Sequence, residues 1–223
     1  MHRSLLLRGL LLAAGLRPAA AQAQLAPDSA RMVLKLGLAP LLAYTYEAEA
    51  EYRWRRHLSL SLAPHIVAGL VPSFISKPGA GAGDEVRGFG LRIGPRLYIP
   101  NTGTEGTALG GLYFGLQAVY QHLSLRFKKE AWGEDLAPDG LNYYVFRARD
   151  FTETINRYGG VATVGYQWQV FHPRLYLDAS LGFNQRQSYS DAGAASRYRS
   201  DAGDYAYSGN FLSLGLSVGF SLK

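Results

Sequence analysis

The chain has no cysteine among its 223 residues, which excludes a disulfide scaffold, a thiolate metal site and a lipid anchor carried on cysteine. Long apolar runs are missing as well. Past Ala23 no stretch approaches the ~18 uninterrupted apolar residues of a membrane-spanning helix, so a helical span is excluded. His57, His65, His122 and His172 stand apart without His-x3-His or other paired ligand spacing, so neither a metal nor another cofactor is expected. The glycine-rich Pro78–Asp84 lacks the Lys-Ser/Thr of a phosphate loop and reads as an external loop. Ser190–Gly193 recurs as Ser200–Gly203 without the spacing of a calcium loop, so both copies read as turns.

A strong excess of one charge is missing too, once the N-terminus is set aside. His2, Arg3 and Arg8 precede the short apolar run Gly9–Leu16, and Ala21-Gln22-Ala23 follows as a small-x-small cleavage site. That order predicts a secretory signal peptide over residues 1–23 and one mature domain over 24–223. Removing residues 1–23 takes away Arg3, Arg8 and Arg17. The formal charge then falls from +6 to +3, with 20 basic against 17 acidic residues, and nucleic-acid binding loses its support.

What the mature chain does have is alternation with period two, the mark of half-buried strands. Leu212, Leu214, Leu216, Val218, Phe220 and Leu222 share one face, against Ser213, Gly215, Ser217, Gly219 and Ser221. Leu175, Leu177, Ala179, Leu181 and Phe183 oppose Tyr176, Asp178, Ser180, Gly182 and Asn184. Phe89, Leu91, Ile93, Leu97 and Ile99 oppose Gly88, Gly90, Arg92, Gly94 and Arg96; Tyr46, Ala48, Ala50, Tyr52 and Trp54 oppose Glu47, Glu49, Glu51 and Arg53. Weaker alternation marks Met32–Leu38, Leu58–Val67, Leu112–Leu125 and Tyr158–Val170, with a phase slip near His122 that suggests a bulge. Eight strands is an even number, as single-chain bacterial barrels require.

The connections sort by length. Those around Arg55-Arg56, Pro100–Gly106 and His172-Pro173 are tight, whereas Gly69–Glu85, Lys128–Thr152 and Ser188–Tyr205 read as long polar loops. Only the first hairpin, near Ala39–Ala43, is short at the long-loop end. Short turns at one end and long loops at the other is the outer-membrane arrangement, with both termini in the periplasm. Aromatics bracket the apolar face: Tyr44 and Trp54 in the second strand, Tyr158 and Trp168 in the sixth. Ten residues at a tilt of ~40° rise about 25 Å, the height between two aromatic girdles.

The opposite face then fills the interior with Lys35, Glu47, Glu49, Glu51, Arg92, Arg96 and Asp178 among glycines and serines. A soluble barrel would carry these polarities the other way round. An eight-strand lumen holds only its own side chains, so an ion-paired plug of Glu47, Glu49 and Glu51 with Arg92 and Arg96 is expected, not a water channel. The alternative is that some of these charges lie in solvent at strand ends.

Ile93-Gly-Pro-Arg-Leu-Tyr98, Gly110-Gly-Leu-Tyr-Phe-Gly115, Gly165-Tyr-Gln-Trp168 and Leu175-Tyr-Leu-Asp-Ala-Ser-Leu-Gly182 together resemble the small bacteroidete outer-membrane barrel proteins of unknown function, which are similar in architecture to the OmpA barrel. The likeness covers residues 31–223. It implies an all-β, up-and-down antiparallel transmembrane barrel of about eight strands in the outer membrane, handled by the barrel-insertion machinery. It supplies no activity. Phe220-Ser-Leu-Lys223 departs from the terminal aromatic of many such strands.

Two candidate sites stand out. His122 and Ser124 share a strand face, with Glu130 or Glu134 beyond, and resemble the base, nucleophile and orienting acid of outer-membrane lipid A deacylases. Leu125 stands where that family prefers asparagine, and a His and a Ser at a polar rim need no catalytic explanation. Trp132, Tyr143 and Tyr144 lie among charges in Lys128–Asp150 and are candidate contacts for a surface partner or for lipopolysaccharide head groups. The expected function is structural or loop-mediated binding at the cell surface, with no pore and no enzyme activity, and with outer-membrane lipid and lipopolysaccharide around the barrel. A lipid A deacylase-like enzyme and a soluble periplasmic ligand-binding barrel are the alternatives.

Overall fold

The computed structural model describes residues 31–71, 84–100, 109–170, 174–193, 196–199 and 204–222. The expected signal peptide, most of Pro78–Asp84, the second Ser-Asp-Ala-Gly copy and His172-Pro173 lie outside them. The chain forms β1 (Met32–Gly37), a 3-10 turn (Ala39–Ala43), β2 (Thr45–Arg55), β3 (Leu58–Leu70), β4 (Glu85–Tyr98), β5 (Gly111–Leu136), β6 (Asn142–Gln169), β7 (Leu175–Ser190) and β8 (Gly209–Leu222). Each strand pairs antiparallel with the next, and β8 pairs with β1 to close the ring. Met32 lies opposite Leu222, so both described ends of the chain sit at one end of the barrel.

Closure leaves the barrel sheet without an unpaired edge, and the pleat sends alternate side chains inward and outward. Within the band from Leu112 to Tyr120 on β5 and from Tyr158 to Trp168 on β6, every outward position except Gly160 is aliphatic or aromatic. Among them Phe114, Leu116, Tyr158 and Val164 are exposed. The same holds for Leu34 and Leu36 on β1, Leu60, Leu62 and Ile66 on β3, and Leu212, Leu214 and Leu216 on β8. Above Tyr120 and Tyr158 the outward positions turn polar: His122, Ser124 and Arg126 on β5, Asn156, Thr154 and Thr152 on β6, Arg87 on β4. Inward at the same height, Leu123, Leu125 and Ile155 join an apolar cluster, beside the buried Glu153 and Arg157.

Several expectations change. Lys128–Thr152 is not a loop: β5 and β6 stay paired from Gly111–Gln167 to Leu136–Asn142 and rise beyond the ring as a two-stranded ribbon. The turn is Ala137–Leu141, where Gly140 adopts φ +81°, a backbone that glycine tolerates best. No bulge occurs at His122, since both ladders of β5 keep one register through it. The apparent slip arises because Leu123 and Leu125 point inward into an apolar cluster while His122 and Ser124 point out. Among the described residues, the one register shift in the barrel ladders lies between Arg53 and Arg55. Tyr44 does not start β2. It caps the 3-10 turn in a left-handed conformation (φ +52°), and a β-carbon on Gly69 would fall against its ring. Tyr46 takes the first outward aromatic position of β2.

Candidate functional site

Three regions carry chemistry: the ionic interior, the capped mouth with its ribbon, and an outward patch at the polar boundary.

The interior centres on Lys35 of β1. Its Nζ lies 2.6 Å from Glu51 Oε2, 2.6 Å from Asp178 Oδ2 and 3.3 Å from Glu49 Oε1, and donates to Gln167 Oε1 at 2.5 Å. Arg96 reaches the same three carboxylates, at 2.7 Å to Glu49, 3.1 Å to Glu51 and 3.2 Å to Asp178. Arg92 pairs with Glu47. Ser59 Oγ and Tyr98 OH donate to Glu51 Oε1, and Tyr113 OH donates to Asp178 Oδ1 at 2.7 Å. The structure therefore brings Glu47, Glu49, Glu51, Arg92, Arg96 and Asp178 inside, with Lys35 as the hub. Sequence reasoning placed Lys35 on this face without that role, and missed Tyr98, Tyr113 and Gln167. Glu49, Glu51 and Asp178 bring carboxylate oxygens within 4.8 Å of one another, as a cation site would. Here the Lys35 ammonium and Arg96 guanidinium already occupy that role. Below, Val33, Tyr98, Leu109, Tyr113 and Tyr176 form a second buried cluster.

Above the ions an apolar cluster forms beside the buried Glu153, Arg157 and Asp204. Val67, Val86, Leu123, Leu125 and Ile155 pack with Tyr198, Tyr205 and Ala206, which come from the connection between β7 and β8 and fold into the mouth. Tyr198 OH donates to Asp84 Oδ2 at 2.6 Å, and Arg197 sits over Phe127 at 5.0 Å. Burial pushes the Tyr205 hydroxyl up to about 12; burial, then the bond to Asp84, pushes Tyr198 up as well. Arg157 lies buried beneath Tyr205, 5.7 Å from its ring, with no carboxylate partner among the described residues.

Along the ribbon, the outward phase continues as Trp132, Glu134, Leu136, Tyr144 and Phe146. Trp132 packs on Phe146 at 5.4 Å between centroids and remains 65 % exposed; Tyr144 is 66 % exposed. Tyr143 faces the other way and donates to Asp139 at 2.8 Å. Bonds from the Leu141 N–H and then Tyr143 hold the Asp139 carboxyl below its ordinary range. On that second face Asp135 takes Arg147 at 2.8 Å and Arg149 at 3.0 Å. The three aromatic contact candidates thus divide between two faces. Of the girdle candidates, Trp54, Tyr158 and Trp168 project outward, and Tyr158 stacks on Tyr189 at 5.3 Å.

At the boundary, His122 pairs with Asn156 across the β5–β6 ladder, Ser124 with Thr154, and Tyr120 with Tyr158. His122 Nδ1 lies 2.8 Å from Asn156 Oδ1, which also accepts from Tyr120 OH at 3.3 Å. Glu130 does not join this group. It is exposed higher on the ribbon opposite Ala148, because unbroken strand carries it away from His122. The residue that meets His122 is Asn156, which sequence reasoning missed. A hairpin turn placed at Pro138-Asp139-Gly140 would have found it, since counting outward from Asp139 reaches His122 and Asn156 together.

No protein-family model and no curated protein matches this sequence. Among solved structures, the crystal structure of Acinetobacter baumannii CarO is similar at 11% identity and a TM-score of 0.44, covering 89% of this chain and 100% of that one. Acinetobacter baumannii CarO2 is similar at 12% identity and a TM-score of 0.44, covering 86% and 98%. The N-terminal β-barrel domain of Pseudomonas aeruginosa OprF is similar at 14% identity and a TM-score of 0.36, covering 86% and 95%. By its own closed ladder the chain is an all-β, up-and-down barrel of eight antiparallel strands, the OmpA-barrel-like architecture that the resemblance implied.

Proposed function

We propose that this chain is an integral outer-membrane barrel with a filled lumen, whose β5–β6 ribbon binds a partner outside the cell. The observation that carries the reading is the double reversal of polarity at Tyr120 and Tyr158. Below it the exterior is apolar and the interior is centred on an ionic network; above it the exterior is polar and the interior gains an apolar cluster beside the buried Glu153, Arg157 and Asp204. A chain wholly in water has no reason to expose Leu212, Leu214 and Leu216 while burying Lys35 and Glu51. Hydrocarbon around the lower band and water around the upper part account for both halves. With β1 rising from the periplasm, the ribbon and the β7–β8 connection lie on the outer side and both termini on the inner.

The ribbon favours binding because Trp132, Phe146 and Tyr144 form an aromatic face supported by only one neighbouring strand. Amphipathic aromatics on a projecting element are the side chains that anchor contacts. The partner is a molecule of the cell surface or its surroundings.

Fractionation, with electrophoresis of heated and unheated samples, tests the membrane half. The protein is expected in the outer membrane, with a mobility that changes on boiling. Recovery in the soluble fraction overturns the reading. Binding of labelled protein to whole cells, compared with Trp132→Ala/Tyr144→Ala, tests the ribbon, and equal binding by both removes it. Planar bilayers are expected to show no steady conductance.

A further inference from the structure

Between the ionic network and the apolar cluster the interior carries more cations than carboxylates. We propose that this layer binds a small monovalent inorganic anion of the halide class, held by Arg157 inside the upper lumen. The proposal stands on the barrel ladders, and neither the membrane placement nor the ribbon enters it.

The ladders fix which side chains share the layer. One row across the wall runs Glu47, His65, Gly90, Gln121, Arg157 and Ser188, each paired with the next. Arg92 and Arg186 stand one pleat repeat lower, joined through Val119 and Gly159. By the alternation of their strands, Glu47, His65, Arg92, Arg157 and Arg186 all point inward. The charges of Arg92 and Arg157 both act on His65, whose Nε2 lies 2.7 Å from Gln121 Nε2.

Two of the three guanidinium groups have a counter-charge. Arg92 pairs with Glu47. The Asp204 carboxylate acts on Arg186, whose Nε and Nη2 also donate to the carbonyl oxygens of Tyr207 and Asp204 at 3.1 and 3.0 Å. Arg157 is the third. The charge acting most strongly on it is Arg186, of the same sign. Glu153 also points inward, but two pleat repeats higher, ~13 Å along the strand, where it accepts from Ser190 Oγ at 2.6 Å. The Tyr205 ring offers Arg157 the negative face of a quadrupole and no net charge.

A guanidinium does not escape by losing its proton, and a buried ion without a counter-charge is strongly destabilising. Arg157 is only 7 % exposed, and its Nε has no hydrogen-bond partner among the described residues. The Nε of Arg92 is a second buried donor without one. A bound anion supplies what Arg157 lacks, an acceptor that carries charge.

Room and charge select its class. The Arg92 side chain points inward yet keeps 27 % of its surface accessible, so the lumen at this height has space for a group of about a water's size. Tyr198 and Tyr205 cover the layer from above, and the network of Lys35 and Arg96 fills the lumen below. A phosphate or sulfate dianion brings two charges and four oxygens to a layer with one uncompensated cation. A halide brings one charge and asks for no donors in fixed directions.

The test follows urea unfolding of the full folded protein in lipid vesicles, in potassium gluconate, chloride or bromide at equal ionic strength. The midpoint should rise with halide concentration, as a ligand of the folded state requires. In Arg157→Met the halide-specific rise should vanish, and in gluconate this variant should be at least as stable as the unmodified protein. Crystals of the unmodified protein soaked in bromide should show an anomalous peak beside the Arg157 guanidinium, a measurement independent of any variant that misfolds. An equal halide response in both proteins, or no bromide at Arg157, overturns the site. A peak without a response in solution is binding at crystal concentration only and overturns it too. Asp201, in the same β7–β8 connection, lies outside the described residues and supplies the control. A halide response that appears only in Asp201→Asn gives the counter-charge to that carboxylate and removes the anion.

Discussion

The lower and upper halves of the barrel interior are built from opposite materials. Below, Lys35 and Arg96 are held by Glu49, Glu51 and Asp178, with tyrosine hydroxyls completing the carboxylates' bonds. Above, Val67, Leu123, Leu125 and Ile155 pack under Tyr198 and Tyr205 as an apolar cluster, with Glu153, Arg157 and Asp204 buried beside it. The difference teaches that inside and outside have no fixed polarity of their own. With hydrocarbon around the wall, as proposed above, the interior is free to hold a dense ionic network. Where water surrounds it, the interior must supply the apolar contacts itself.

The largest way to break this contrast is Lys35→Met. It leaves three buried carboxylates to Arg96 and should cost about 3–5 kcal/mol, read as a lower midpoint in urea unfolding from lipid vesicles. Replacing an outward side chain separates the two surroundings next. Leu116→Arg, in the middle of the apolar band, should cost about 2–4 kcal/mol, whereas Ser124→Arg above the band should cost about 0–1. Equal costs would remove the boundary at Tyr120. In the upper half, Leu123→Ala should open a cavity and cost about 2–3 kcal/mol. It should also speed proteolysis of the β7–β8 connection while leaving the lower interior intact. The mildest probe is pH. Tyr205 and Tyr198 have folded values raised above the unfolded value of about 10, so their contribution is complete below that pH. It is lost as pH rises through about 12, the value for Tyr205. The cap should therefore loosen at alkaline pH, seen as tyrosine ionisation at 295 nm, and Tyr205→Phe should lessen the change.

Strand count, closure and the direction of each face were legible because the strands other than β5 and β6 meet one environment on each side over most of their length. Leu212–Leu222 alternates without a break for that reason. β5 was misleading because it crosses the boundary. At Tyr120 both surroundings exchange polarity, and an unchanged backbone looks like a slipped one in the sequence. The ribbon resembled a loop because water lies on both its faces, so nothing forces strict alternation on Lys128–Leu136. Charges inside the barrel were readable as a set, but not as pairs. Arg96 meets Asp178 across 82 positions, and only the register of strands that are not neighbours in sequence brings them together. The same limit hid Asn156 beside His122, although that pairing depended on a single turn.

Lys35 reaches its carboxylates from the first and shortest strand, and one of them, Asp178, comes from the seventh. Glu49 and Glu51 lie on the neighbouring β2 and can meet Lys35 in the first hairpin, whereas Asp178 meets it only when β8 joins β7 to β1. Completion of the circle and the pairing of Asp178 with Lys35 are therefore one event. A nascent or truncated chain short of β8 would keep an electrostatic penalty that a finished one sheds. Lys35 thus ties the first strand to the seventh across the seam that β8 closes.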